Sequence, residues 1–123
     1  MDKYGFRFRD WDIYRDARSF RVEVNEILKT FPKEEIYALV DQAKRALNSI
    51  ILNIAEGANK STDKDTRLYI IRARCSLDEV VACCDCALDS KYISLKQNEN
   101  VLEEASALAK KLSGFISHLS KSQ

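Results

Sequence analysis

The sequence predicts an all-α fold, an antiparallel up-down-up-down four-helix bundle formed by one domain over residues 1–123. Three observations lead there. The chain holds only three glycines and one proline, and both residues break helices, whereas a strand-rich fold needs many turn residues. Apolar residues recur at three- and four-residue steps in four successive segments, the period of a helix with one buried face. The breaks between those segments are short, which favours antiparallel neighbours.

The first helix is expected over about 10–29. Trp11, Tyr14, Ala17, Phe20, Val24, Ile27 and Leu28 make one stripe, and Asp10 suits the N-cap. Thr30-Phe31-Pro32 breaks it. The second is expected over about 32–58. Pro32 suits a first helical position, and Glu34 and Glu35 suit a first turn, where the helix dipole favours acids. Its stripe is Ile36, Leu39, Val40, Ala43, Leu47, Ile50, Ile51, Ile54 and Ala58. It ends near Gly57–Asn59, residues suited to a C-terminal cap.

The third helix is expected over about 63–90. Thr62 with Asp65 resembles a capping box, and Leu68, Ile71, Cys75, Val80, Cys84, Ala87 and Leu88 roughly keep the helical period. The fourth, over about 95–120, has the clearest start, Ser94-Leu95-Lys96-Gln97. Val101, Ala105, Leu108, Leu112, Phe115 and Leu119 then alternate steps of four and three, the seam of a left-handed bundle.

Composition narrows the function classes. Apolar residues make up 46% and charged residues 32% of the chain. That balance is globular, with no apolar run long enough to span a membrane. Met1–Asp10 lacks the apolar stretch of a signal peptide, so a cytoplasmic location is expected. Four cysteines in a reducing compartment should be thiols. A net charge of +1 creates no global field toward nucleic acid.

Catalytic constellations are weak. Cys83-Cys84-Asp85-Cys86 contains a Cys-x-x-Cys, but zinc needs four converging ligands, and the chain adds only Cys75 and one histidine, His118. The redox reading of that pair wants a βα context, which is missing. Core thiols are the better reading. A nucleotide-cleaving helical bundle with an Arg four to six intervening residues before His118 is not indicated either, because Lys111, Leu112 and Ser113 occupy those positions. No Glu-x-x-His pair, phosphate-cradling glycine loop or nucleophile elbow occurs. No enzyme, metal site or cofactor is expected.

The cations are more informative. Residues 42–55 carry Lys44 and Arg45 without an acid, and residues 66–77 carry Arg67, Arg72 and Arg74 without an acid. Arg67 and Arg74 are seven residues apart and share a helix face. Lys60 and Lys64 lie in the connecting turn. Arg7, Arg9, Arg15, Arg18 and Arg21 come earlier, partly offset by Asp10, Asp12 and Asp16. Such runs are usually solvated faces, with phosphate binding as the sharper alternative. Tyr69 is the one aromatic among the later cations, so base stacking is not indicated.

Three segments carry a resemblance: Phe31-Pro32-Lys33-Glu34-Glu35-Ile36-Tyr37-Ala38-Leu39, then Gln42-Ala43-Lys44-Arg45-Ala46, then Ser49-Ile50-Ile51-Leu52-Asn53-Ile54-Ala55-Glu56-Gly57. Trp11 and Arg74-Cys75-Ser76-Leu77-Asp78-Glu79 extend it. Together they resemble the bacterial four-helix proteins encoded in intervening sequences of 23S ribosomal RNA genes, and the similar accessory variability determinant proteins of diversity-generating retroelements. The resemblance covers nearly the whole chain, and the Ser-Ile-x-x-Asn-Ile-Ala-Glu-Gly stretch is its most specific part. Ala38 and Cys75 stand where the family usually has Gly, and Lys44 replaces a frequent Arg. The change at Cys75 bears on how closely two helices approach. The resemblance implies a ring-like homopentamer and a basic surface for RNA or DNA, with Lys44, Arg45, Arg67, Arg72 and Arg74 as the candidate phosphate contacts. A reverse transcriptase is the candidate protein partner of the retroelement branch. The alternative reading is a protein-interaction scaffold. Asn53 and Glu56, three apart on α-helical spacing, read as polar links between helices or subunits rather than as catalysts.

Overall fold

The computed structural model describes residues 2–121. They form four α-helices: α1 (Asp12–Leu28), α2 (Leu39–Ala58), α3 (Asp63–Asp89) and α4 (Leu95–Lys121). Short 3-10 turns cover Arg7–Asp10 and Lys33–Glu35, and no strand occurs among the described residues. The helices contact one another in a closed circuit, α1 on α2, α2 on α3, α3 on α4 and α4 on α1.

The core lies inside that circuit. Ile13, Ala17, Phe20, Val24 and Leu28 come from α1, and Val40, Ala43, Leu47, Ile50 and Ile54 from α2. Ile70, Ala73, Leu77 and Val80 of α3 and Val101, Ala105, Leu108 and Leu112 of α4 complete the same buried cluster. Each fully buried aliphatic side chain contributes about 1.5–3 kcal/mol of transfer free energy.

Helix starts follow local chemistry. Thr62 Oγ1 accepts the Asp65 amide at 3.1 Å and opens α3. Ser94 Oγ accepts the Gln97 amide while Gln97 Oε1 accepts the Ser94 amide, a reciprocal capping box for α4. Two expectations need correction. The N-cap of α1 is Trp11, and Asp10 lies in the preceding 3-10 turn. The helix expected from Pro32 begins at Leu39. Pro32 precedes the 3-10 turn, the N-cap of α2 is Ala38, and Glu35 Oε2 accepts the Leu39 amide at 3.2 Å.

The phase of α3 also differs from its sequence reading. Leu68 and Cys75 are exposed and Ile71 is half-buried, while Ile70, Ala73 and Leu77 face the core. Thr66 is buried beside them, its hydroxyl donating to the Gly57 carbonyl at 2.9 Å. A polar residue at the first inner position and an apolar pair at 70–71 shift the apparent stripe by one residue.

The Ser49–Gly57 stretch is the seam between α2 and α3. Residues 49, 53 and 57 follow at four-residue steps and share a face. Ser49 Oγ lies 2.8 Å from Ser76 Oγ. Asn53 Nδ2 donates to the Ser49 carbonyl and hydroxyl. A β-carbon on Gly57 would lie 2.6 Å from Tyr69 Cβ, so only glycine allows that approach. Cys75 does not affect this contact, because it points outward.

Candidate nucleic-acid interface

The α1–α2 surface is where cations gather. In α1, Ala17, Phe20 and Val24 turn inward, which leaves Tyr14, Arg18 and Arg21 on the side toward α2 and Asp16 on the side toward α4. The hydrogen bonds agree. Arg21 Nε donates to Asn48 Oδ1 of α2 at 2.8 Å. Lys111 of α4 meets Asp16 Oδ2 at 2.6 Å, and that carboxylate raises the lysine's pKa. Asp12 is held below the ordinary carboxylate range by its hydrogen bond from Arg15 and by the charge of Lys111. Folding thus turns Asp16 and Arg18 to different faces, while Asp12 stays paired with Arg15 at 2.7 Å.

The basic face lines an open groove. One stretch is walled by Tyr14, Arg15, Arg18 and Arg21 of α1 and by Asn48 and Leu52 of α2. Leu52 also lines the next stretch, where the N-terminal strap of residues 5–8 faces Glu56 and Lys60. The strap is anchored by Arg7, whose Nε donates to the Ala58 carbonyl at 2.8 Å. Phe8 meets Tyr14 edge-on, with ring centroids 4.8 Å apart. Among the described residues, neither Arg18 nor Lys44 has a carboxylate within ion-pair distance.

The five cations singled out from sequence are not gathered into one patch. Lys44 lies on α2 one turn before Asn48, on the flank of the groove. Arg45 is exposed beside it and pairs with Asp41 at 3.0 Å. Arg72 lies beyond the other end, over the Tyr69 ring at 4.6 Å, with Lys60 over the same ring at 4.7 Å. Arg45 precedes Gly57 by twelve residues, about 18 Å along the helix axis, so it and the Tyr69 cluster stand at opposite ends. Arg67 and Arg74 turn toward α4. Arg74 pairs with Asp78 beside Leu102 and Ala109, and Arg67 Nε is buried without a hydrogen-bond partner.

Sequence reasoning left Arg7, Arg18 and Arg21 out of the candidate contacts because acidic neighbours partly offset them, yet all three line the groove. It also counted Tyr69 as the one aromatic among the later cations and did not pair the earlier arginines with rings. Arg7 lies over Trp11 at 5.4 Å and Arg18 over Tyr14 at 5.6 Å. The i, i+4 spacing of Tyr14 and Arg18 is the signal that was available.

The cysteines sit elsewhere. Burial pushes the Cys84 thiol up to about 12, with Cys83 and Asp85 adding to the shift. Burial also raises Cys83, helped by the Glu79 charge. All four are free thiols. Cys83 and Cys84, held protonated in this way, are poor nucleophiles and poor metal ligands. Among the described residues, no group of three or more His, Cys, Asp or Glu side chains is placed to hold a metal ion, and no helix is long and apolar enough to cross a membrane. His118 stacks on Phe115, with ring centroids 6.4 Å apart.

The profile of the 23S rRNA-intervening sequence protein family matches residues 9–114. The chain belongs to that family. The match takes in all of the basic groove except the strap ahead of residue 9. A solved structure shares the fold: a protein of unknown function from the S23 ribosomal protein family of Bacteroides thetaiotaomicron VPI-5482. The two superpose with a TM-score of 0.77 at 19% identity, over 85% of this chain and 97% of the other. No curated protein matches this intervening-sequence protein.

Proposed function

We propose that this intervening-sequence protein is a non-catalytic, oligomeric helical bundle that binds the phosphate backbone of RNA or DNA along the α1–α2 groove. The observation that carries the reading is the sorting of charge across α1, with Asp16 turned to Lys111 and Arg18 and Arg21 turned to the groove. A protomer of net charge +1 thereby presents a concentrated positive field on one side. Contacts of Arg and Lys to phosphate hold a strand without reading its sequence. Lys44 and Arg45 extend the groove at one end, and Lys60 and Arg72 at the other. Arg67 and Arg74 belong to the surface only if an assembly brings them beside a neighbouring groove.

The antiparallel up-down-up-down order is part of this reading. It is supported by Arg7, ahead of α1, reaching Ala58 at the end of α2, and by Asp16 early in α1 meeting Lys111 late in α4. A ring-like homopentamer is what the family resemblance implies. Exposed Leu95 and Leu102 on α4 support a subunit contact that would cover them. A ring repeats each groove about its axis and multiplies the field.

A second reading rests on Val22 and Leu52, which are 59% and 64% exposed within the basic groove. Apolar groups there favour a protein partner, and similarity to the retroelement accessory proteins makes a reverse transcriptase the candidate. Titrating purified protein with RNA and with DNA at low salt separates the two. Binding that Arg18→Glu weakens about tenfold, while Arg74→Glu leaves it within about twofold, supports the groove. Absence of binding by folded protein leaves the scaffold reading.

A further inference from the structure

We infer that the pocket between the N-terminal strap and the last two turns of α2 is a nucleotide subsite, which seats one unstacked base of a single strand and makes the protein prefer single strands to duplexes. The inference rests on the phosphate-binding reading above and adds to it the class of strand. The pocket has a volume of about 850 Å³, inside the range of about 300–1,000 Å³ found for small-molecule sites. Its lining has two chemistries. Phe6 and Phe8 of the strap and Leu52 of α2 supply apolar surface, and Arg7, Lys60 and Glu56 supply charge.

The arrangement matches the parts of a nucleotide. Phe6 is 55% exposed, and its ring stands 6.1 Å from that of Phe8 and tilted by 56°. The two therefore do not stack on each other, and Phe6 keeps exposed ring surface for a planar group. Base–aromatic stacking is tolerant of base identity because every base has a π face. Arg7 uses its Nε–H on the Ala58 carbonyl, which fixes the guanidinium at the pocket and leaves its four terminal N–H groups as donors to a phosphate. Lys60, resting over the Tyr69 ring, places a second cation on the same lining. Glu56 repels a second phosphate and accepts from N–H groups on a base edge, which orients the nucleotide with its phosphate toward the cations. A duplex keeps its bases stacked and cannot offer one to the pocket without the cost of extrusion. A single strand offers it freely.

The test compares one oligonucleotide as a single strand and as a duplex, together with a mononucleotide and inorganic phosphate. Trp11, the one tryptophan in the chain, lies 5.4 Å beneath Arg7 and reports occupancy by its fluorescence. The expected result is tighter binding of the single strand than of the duplex, and a Trp11 response to the mononucleotide that phosphate alone does not give. Phe6→Ala should weaken single-strand binding about tenfold and leave duplex binding unchanged, and Phe6→Trp should retain it. Circular dichroism confirms that both variants fold. Equal affinities for single strand and duplex, both untouched by Phe6→Ala, overturn the subsite and leave the phosphate groove standing. No binding of either form overturns both.

Discussion

Gly57 of α2 and Tyr69 of α3 meet with no space for a side chain between them: a β-carbon on Gly57 would fall 2.6 Å from Tyr69 Cβ. Both atoms are fixed to backbone, so neither can swing aside. The same seam positions the Lys60–Tyr69–Arg72 cluster at the groove's end. Gly57→Ala therefore forces α2 and α3 apart. The gain in helix propensity, about 1 kcal/mol, is outweighed by overpacking of about 1–3 kcal/mol. The expected outcome is a lower urea midpoint and a lower melting temperature. An unchanged or raised midpoint would show that the seam adjusts freely.

Glu35 joins two connections with one carboxylate. Oε2 accepts the Leu39 amide that opens α2, and Oε1 accepts the Tyr92 hydroxyl at 2.9 Å from the α3–α4 loop. Glu35→Ala removes both, at a cost of about 1–2 kcal/mol in unfolding free energy. The hydrogen bond to Glu35 is the first cause of the raised Tyr92 pKa. An ultraviolet pH titration should therefore show one tyrosine returning toward its ordinary value in the variant. Because the folded pKa is raised, this link stabilises the fold below the ordinary tyrosine value and weakens as pH rises through the folded one.

Cys84 should contribute to a loss of stability at alkaline pH. Its folded pKa of about 12 stands above the ordinary 9.0, so the folded state keeps a proton that the unfolded chain gives up between those values. This contribution to stability is fully present below pH 9 and is lost as pH rises toward 12. Urea midpoints measured across that range should decline, and Cys84→Ala should flatten the decline even though it lowers stability at neutral pH. An equal slope in the two proteins would place the alkaline loss on another group.

Much of the fold was legible because its signals are local. The Ser94–Gln97 box and the Thr62 cap involve residues three apart. The α4 seam keeps one phase from Val101 to Leu119. The start of α2 was not legible, since Pro32-Lys33-Glu34-Glu35 suits a 3-10 turn as well as a helix, and only the Glu35 contact with Leu39 distinguishes them. In α3, Ile70 and Ile71 are both apolar, and only the neighbours decide that Ile70 is the inner one. The groove was legible in its parts and hidden as a whole. Asp12, Arg15, Asp16 and Arg18 cancel along the chain, and only the position of α4 and Lys111 removes Asp16 from the face that Arg18 occupies.

The salt dependence of nucleic-acid binding by the wild-type protein and by Arg18→Ala tests the central claim most directly. Phosphate contacts release counterions, so the logarithm of the binding constant should fall linearly with the logarithm of salt concentration. Removing one contact should lower the magnitude of the slope by about one. That result, with Arg74→Ala keeping the wild-type slope, places the strand in the α1–α2 groove. A slope unchanged by Arg18→Ala, or an affinity insensitive to salt, would contradict the account.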